Sequence, residues 1–384
     1  MIINRREILI GSLGLGAASL ALPRIAFAAT PGSQRKMLFL LLRGAADGMG
    51  ILAPVGDPHY ERLRGELAQD YAGLPQIGGM FAFHPDLKHL SAMFAAGDLV
   101  ASHAMATSYR ERSHFDAQNL IENGGLHAYD LRDGWMNRLL QQMGGNAPRA
   151  LGIAAAVPVA LRGDFPVSSY APSALPDADD ALLARVGAMY MGDPQLHGVW
   201  EQALETREMA GDVQDKNLKN AQRAGELAAR LMRGADGAGM AMMDLGGWDT
   251  HANQRGSLSR ALKQLDTLLG AYKTGMGEAW SDTLVLVATE FGRTAKANGT
   301  AGTDHGTGSL ALALGGAVNG GRVLADWPGL SDSALFERRD LRPTGSLEAF
   351  LAGASAEHFR LDPARAFSAM FPQRKLSPYS GLIT

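Results

Sequence analysis

The chain has 384 residues, 46% hydrophobic and 20% charged, an ordinary globular composition with apolar material for a substantial core. Its formal net charge is −3 and it has no cysteine. The charge excludes a sequence-independent nucleic-acid binder, and the missing thiols exclude disulfides, a thiolate metal site and a cysteine nucleophile.

In chain order, residues 1–28 read as an export signal. Asn4-Arg5-Arg6-Glu7-Ile8-Leu9 is a twin-arginine pattern, and an apolar Gly/Ala-rich stretch runs from Ile8 to Leu22. Ala26-Phe27-Ala28 fits the small-x-small rule for cleavage after Ala28. The apolar stretch is short and followed by Pro23-Arg24, so no stable membrane anchor is expected after cleavage. Losing Arg5, Arg6 and Arg24 against Glu7 removes two net positive charges and leaves the mature chain at −5. The expected location is periplasmic or secreted, with the twin-arginine export machinery as partner of the leader. Substrates of that pathway typically cross the membrane folded, often with metal or cofactor loaded, which fits a protein without cysteine.

The remainder, 29–384, is expected to be one α/β domain, a central mostly parallel sheet flanked by helices. Lys36 to Leu42 is a continuous apolar run closed by the turn Arg43-Gly-Ala-Ala-Asp47-Gly-Met-Gly50, which suits a central strand covered on both faces. Helices are predicted over Pro58–Ala68 and Pro85–Gly97, a strand over Leu99–Ala106, and a helix from Ser113 to Asn123 closed by Gly124-Gly125. Ala150 to Leu161 reads as a strand. A charged, Ala/Leu/Met-rich segment, about 177–235, reads as a helical insertion outside the sheet, broken at Gly192-Asp-Pro194. Met240–Leu245 is predicted as a strand, Gln254–Lys273 as a helix, Thr283–Thr289 as a strand, and Leu310–Leu314 as a further apolar run. Alternation of strand and helix gives a parallel sheet.

Three acidic/histidine motifs are expected at strand ends: Gly-Gly-Trp-Asp249-Thr-His251, Thr289-Glu290-Phe-Gly-Arg293-Thr and Gly-Thr-Asp304-His305-Gly. Carboxylates and imidazoles converging there are the material of a divalent metal site, and open α/β sheets place their chemistry at that edge. Asp249 and His251, two apart on an extended loop, point the same way; the competing reading makes Asp249 a helix cap. Glu290 directly follows an apolar strand and needs a metal or a cation, for which Arg293 is the alternative to a substrate role on anionic oxygens. Asp47 sits in an Asp-Gly turn that is common without function. Ser113 is a natural N-cap, yet a helix start also suits a serine nucleophile or oxyanion, with Arg110 and Arg112 upstream. His103 lies in or just after a strand; His59, His84, His89, His127, His197 and His358 look incidental. No Gly-x-Ser-x-Gly elbow, phosphate-binding loop of the Gly-x-x-x-x-Gly-Lys type or dinucleotide fingerprint is present.

The order of these motifs resembles the alkaline phosphatase-like superfamily of phosphatases, sulfatases and phosphoglycerate mutases. More closely it is similar to the bacterial family known as domain of unknown function 1501, through Leu42-Arg-Gly-Ala-Ala-Asp47-Gly, Arg112-Ser-His-Phe-Asp-Ala-Gln118, Gly246-Gly-Trp-Asp-Thr-His251, Thr289-Glu-Phe-Gly-Arg-Thr294 and Asp304-His-Gly306. The superfamily resemblance implies a two-metal site, which the departures below could reduce to one ion; the His/carboxylate donors leave zinc, manganese, iron or calcium open. Asp47 and Glu290 would hold one ion, and Asp249, His251 and His305 the other, with Asp304 beside them. Ser113 would be the nucleophile, His114 a ligand or substrate contact, and Arg293, Arg112 or Arg110 the grip on an anionic small-molecule or polymer substrate. Two departures count: Glu290-Phe291 stands where the phosphatases carry Asp-His, and the Cys/Ser-x-Pro-x-Arg setting of sulfatases is missing.

The leading expectation is an exported metal-dependent hydrolase of phosphoesters or related anionic esters. The alternative is a non-catalytic cell-envelope binding or structural protein with the same fold. A redox enzyme is the third reading, weakened by the missing cysteines and dinucleotide fingerprint.

Overall fold

The computed structural model describes residues 35–172, 180–210 and 220–384. The twin-arginine leader and its cleavage site lie outside the described residues. The strands are β1 (Lys36–Leu42), β2 (Leu52–Ala53), β3 (Ala82–Phe83), β4 (Leu99–Ala106), β5 (Ala150–Gly152), β6 (Ser168–Ser169), β7 (Met240–Leu245), β8 (Thr283–Thr289), β9 (Ser309–Leu314), β10 (Arg322–Leu324) and β11 (Gly345–Ser346). The α-helices are α1 (Gly48–Ile51), α2 (Tyr60–Arg64), α3 (Lys88–Ala95), α4 (His114–Asn123), α5 (Trp135–Met143), α6 (Asp180–Tyr190), α7 (Pro194–Ala210), α8 (Ala221–Met232), α9 (Gln254–Met276), α10 (Leu347–Phe359) and α11 (Pro363–Met370). No helix among the described residues is long and apolar enough to cross a membrane.

The central sheet runs β10-β4-β9-β8-β1-β7-β5-β6, with β11 also on β4. β1 is parallel to both β7 and β8, β5 to β6 and β7, and β10 and β11 to β4. β9 runs antiparallel to β4 and β8. The expected architecture, a mostly parallel sheet flanked by helices, is the one observed. β1 shows why its sequence lacks alternation. Leu38, Leu40 and Leu42 enter one core with α8 and α9, while Met37, Phe39 and Leu41 enter another with α5, α10 and α11. Phe39 meets Trp135 edge to face, ring centroids 5.3 Å apart.

Three expectations change. The strand expected over 150–161 stops at Gly152, and residues 159–161 form a short 3₁₀ turn. Its register partners are Met240–Met242 of β7, and beyond them Pro158 has no N–H for a ladder. The helical segment after 177 is not wholly outside the sheet. Ala224, Leu227, Ala228, Leu231 and Met232 of α8 are buried in the core against α9. Finally, Asp304-His305 precedes a strand instead of ending one. It reaches the chemical edge because β9 runs backwards, so its N-terminal end lies beside the C-terminal ends of β1, β4, β7 and β8.

In β4 the register shifts between His103 and Met105, and Ala104 takes φ 56°. The bulge turns the Ala104 N–H onto His103 Nδ1 at 2.8 Å, while Nε2 faces the Leu52 carbonyl at 2.9 Å. Both ring nitrogens are thus used by the neutral imidazole, Nε2–H donating and Nδ1 accepting. Burial drives the His103 pKa down to about 4.

Replacing Phe39 by Ala is expected to cost about 3–5 kcal/mol in denaturant unfolding, through lost burial and the cavity left between the sheet and Trp135. His103 contributes a pH dependence. Its folded pKa lies below its unfolded value of about 6.5, so the unfolded chain takes up the proton first and stability falls as pH drops from about 6.5 towards 4. The loss approaches about 3 kcal/mol. The stability difference between the wild type and His103→Gln, measured across that window, should shrink by this amount.

Candidate metal centre

Four segments bring the centre together at the C-terminal edge of the parallel strands: the start of α4 after β4, the loop after β7, the turn after β8, and the loop entering β9. His114 Nε2 lies 3.0 Å from His305 Nε2 and 3.6 Å from Asp249 Oδ2. His305 Nε2 is 3.2 Å from Asp249 Oδ1. Donor atoms of His114, Asp249 and His305 all lie within 4.8 Å of one another. His251 Nε2 joins from the outer side, 3.0 Å from both His305 Nε2 and Asp249 Oδ1.

Two of the imidazoles are oriented by carboxylates. Glu290 Oε1 lies 2.8 Å from His114 Nδ1, and Asp304 Oδ1 lies 3.3 Å from His251 Nδ1. Each carboxylate fixes the hydrogen on Nδ1 and leaves a lone pair on Nε2 facing inward. Lone pairs and a carboxylate oxygen aimed at one point repel each other unless a cation or a proton lies between them. The spacings of 3.0–3.6 Å also match the edge of about 3.3 Å expected for donors around a tetrahedral zinc. The residues present therefore fit a divalent cation. His114, Asp249 and His305 would hold it, with His251 adjacent.

Glu290 is 1% exposed and does not pair with Arg293. Its Oε1 accepts from the Gly44 N–H at 2.8 Å and from Gln118 Nε2 at 3.0 Å as well as from His114. Burial alone would raise its pKa, but the bonds from His114 and Gln118 hold it below the usual carboxylate range. The same contact raises His114, Glu290's hydrogen bond outweighing partial burial. His305 is lowered, first by burial and then by neighbouring His114. Asp249 would be raised by burial, yet the hydrogen bond and charge of Arg293 bring it down. Asp304 is lowered, chiefly by the Asn298 amide at 3.1 Å.

The other expected residues are placed elsewhere. Arg293 is fully buried and donates Nη1 to Asp249 Oδ1 at 2.7 Å and Nη2 to the Thr303 carbonyl at 2.5 Å, so its guanidinium is engaged with Asp249 and not with Glu290. Arg112, at φ 62°, pairs with Asp340 at 2.8 Å and Glu337 at 2.6 Å. Arg110 donates to the Thr107 and Tyr109 carbonyls. Asp47 is buried with Oδ2 held by Arg64 and Gln254, while its Oδ1 has no hydrogen-bond partner among the described residues. Asp249 does not cap α9, whose N-cap is Asn253. Ser113 is the N-cap of α4, but its side chain makes no cap bond.

Residues that sequence reasoning missed include the uncharged Gln118, Asn298, Thr303 and Gln254 and the charged Arg64 and Asp340. Gln118 alone carried a signal, because it stands four residues after His114 and so shares its helix face. The Gly-Arg and His-Gly steps of two motifs also have a structural explanation. Residues 292–294 and 304–307 form a tight two-stranded ladder, with an Arg293–His305 bridge, Gly292 N–H to Thr307 O at 2.9 Å and Gly306 N–H to Gly292 O at 2.8 Å. A Cβ on Gly306 would fall 2.4 Å from the backbone of Arg293.

The DUF1501 family model, described as a protein of unknown function, matches residues 34–371. None of the curated proteins matches the chain. Among solved structures it is similar to the C-terminal periplasmic domain of EcEptC from Escherichia coli, at 10% identity over 74% of each chain, with TM-score 0.34. The complex of that domain with Zn gives 10% identity over 74% of each chain and TM-score 0.35. The phosphonate monoester hydrolase SpPMH from Silicibacter pomeroyi gives 13% identity over 76% of this chain and 70% of that one, with TM-score 0.29.

Gly306→Ala is expected to force the ladder apart, moving Arg293 and His305 together. Unfolding should show a loss of about 1–3 kcal/mol, and zinc uptake by the folded variant should fall well below that of the wild type.

Proposed function

The chain belongs to the DUF1501 family, and we propose that it is an exported hydrolase of phosphoesters or related anionic esters that depends on one divalent metal ion. The observation that carries this reading is the convergence of His114, Asp249 and His305 within 4.8 Å, from separate segments, at a sheet edge open to solvent. Three protein donors around one point are the protein share of a catalytic zinc site, and His251 Nε2 stands 3.0 Å from two of them. Imidazole-rich ligation suits zinc, iron or manganese; calcium prefers a fuller set of oxygens. When bound, such an ion polarises an ester oxygen and lowers the pKa of a water nearby.

The chain's own residues have separable tasks. Glu290 and Arg293 orient His114 and Asp249. His251, steadied by Asp304 at Nδ1, offers its Nε2 beside Asp249 and His305 as acceptor for the proton of the attacking hydroxyl group. Ser113 precedes His114, with its hydroxyl free of any capping bond, and is the candidate nucleophile. The N-terminal end of α4 favours the negative charge of an anionic ester. Export rests on the leader, through the twin-arginine pathway with cleavage after Ala28.

One observation favours a second reading. Arg112 and Arg293, the cations expected to grip an anion, are both engaged with carboxylates. That suits a non-catalytic envelope protein that keeps the metal for binding or for structure.

The test is elemental analysis of the mature protein by inductively coupled plasma mass spectrometry, with Asp249→Ala and His305→Ala alongside. We expect about one equivalent of a transition metal, with affinity lowered by more than about 100-fold in each variant, beyond the range typical of residues that only support a ligand. Metal-dependent hydrolysis of p-nitrophenyl phosphate or the corresponding sulfate then separates the two readings. A folded wild type that neither holds nor takes up metal sinks both.

A further inference from the structure

Asp47 lies in a motif that the metal centre leaves unexplained. Its carboxylate is 1% exposed, makes no capping bond to the helix it precedes, and is paired with the equally buried Arg64. Its Oδ2 also accepts from the side-chain amide of Gln254, itself fully buried. A carboxylate only accepts, so the amide nitrogen of Gln254 must face Asp47 and its Oε1 must face the other way. There Oε1 receives the hydroxyls of Thr250 at 2.9 Å and Thr303 at 2.5 Å. With its hydrogen given to Gln254, Thr303 Oγ1 keeps a lone pair for Arg293 Nε–H at 3.2 Å. Arg293 then donates to Asp249 Oδ1 at 2.7 Å.

We infer that Asp47 is a positioning residue for the metal centre, acting through a directional hydrogen-bond relay, Asp47–Gln254–Thr303–Arg293, that fixes the Asp249 ligand. The inference rests on the metal reading given above. Arg293 can only donate, so the one direction left open is that of the Gln254 amide, and the acceptor-only Asp47 carboxylate sets it. The same Oδ2 serves Arg64 and Gln254, so removing the carboxylate with an alanine leaves the Arg64 guanidinium to draw the Gln254 Oε1 round, and the amide hydrogens then turn to Thr303. Thr303 Oγ1 would take hydrogens from both Gln254 and Arg293, its own hydrogen would lose its acceptor, and the rotamer that supports Arg293 beside Asp249 would no longer be favoured. The same amide reaches Thr250, between Asp249 and His251, so one reversal disturbs both sides of the ligand loop.

The test reads zinc affinity by competition with a chromophoric chelator, and fold stability separately by thermal unfolding, on the full mature chain. Asp47→Ala should weaken zinc binding by about 10-fold or more, as should Thr303→Val, while Thr303→Ser, which keeps the hydroxyl, stays near the wild type. Gln254→Met cuts the relay with the Asp47–Arg64 pair intact, and should match Thr303→Val even if Asp47→Ala fails to fold. The double variant Asp47→Ala/Thr303→Val should lose no more affinity than the weaker-binding single variant, because both break one chain. Wild-type affinity in Asp47→Ala and Gln254→Met, with only the unfolding temperature lowered, would show Asp47 to be structural and overturn the relay alone. Losses that multiply in the double variant would also overturn it. A wild type that binds no zinc, when its unfolding is normal, removes the metal reading and the relay together.

Discussion

A buried carboxylate without a counter-cation is the constraint on which this molecule turns. Glu290 directly follows the fully buried strand β8, where water cannot reach it, and its charge must be answered by hydrogen bonds. On Oε1 the answer comes from the Gly44 N–H after β1, Gln118 from the face of α4, and His114 from the same helix one turn earlier, while the Thr289 hydroxyl faces Oε2. Those contacts pin α4 against the sheet edge and decide which nitrogen of His114 points outward. The position of the His114 imidazole is thus a by-product of keeping Glu290 satisfied.

Most of the sheet was legible in the sequence. β1, β4, β7 and β8 fall on the residues expected, because a strand covered on both faces is an unbroken apolar run with few competing explanations. The 150–161 segment was overextended for the same reason: its Ala/Val content continues past the point where a paired strand exists to hold it. The candidate site was legible in its charged and histidine members and opaque in their tasks. Arg293 reads equally well as a partner for Glu290 or as an anion grip, and only the fold shows that Asp249, 44 residues away, claims it. Asp47 and Arg64 meet across 17 residues and a turn. Nothing in the local pattern announces that pairing. α10 escaped notice because it is buried on nearly every side and so carries no amphipathic period.

One corner beside the centre carries three strained residues. Arg112, Glu337 and Arg338 all adopt left-handed conformations that non-glycine residues resist, at φ 62°, 53° and 54°. Such residues cost of order 1–3 kcal/mol each and persist only where their surroundings over-determine them. Here the surroundings are the ion pairs of Arg112 with Glu337 and with the buried Asp340, and the bond from Arg339 Nη2 to the His305 carbonyl. The corner joins the segment entering α4 to the loop entering β9, so His114 and His305 are held in mutual register by a clamp that itself touches neither ring.

The reversed strand β9 has a consequence in time as well as space. His114 and His305 are 191 residues apart, and the second becomes available only when the segment entering β9 has been made. A sheet whose central pairings join β1 to β7 and β8 is rich in distant contacts and is slow to close. A ribosome-bound fragment ending before β9 therefore has the carboxylate and the first imidazole without the partner that completes the trio. The trio, on this topology, is assembled only after synthesis has passed residue 305 and the segment entering β9 has met the start of α4.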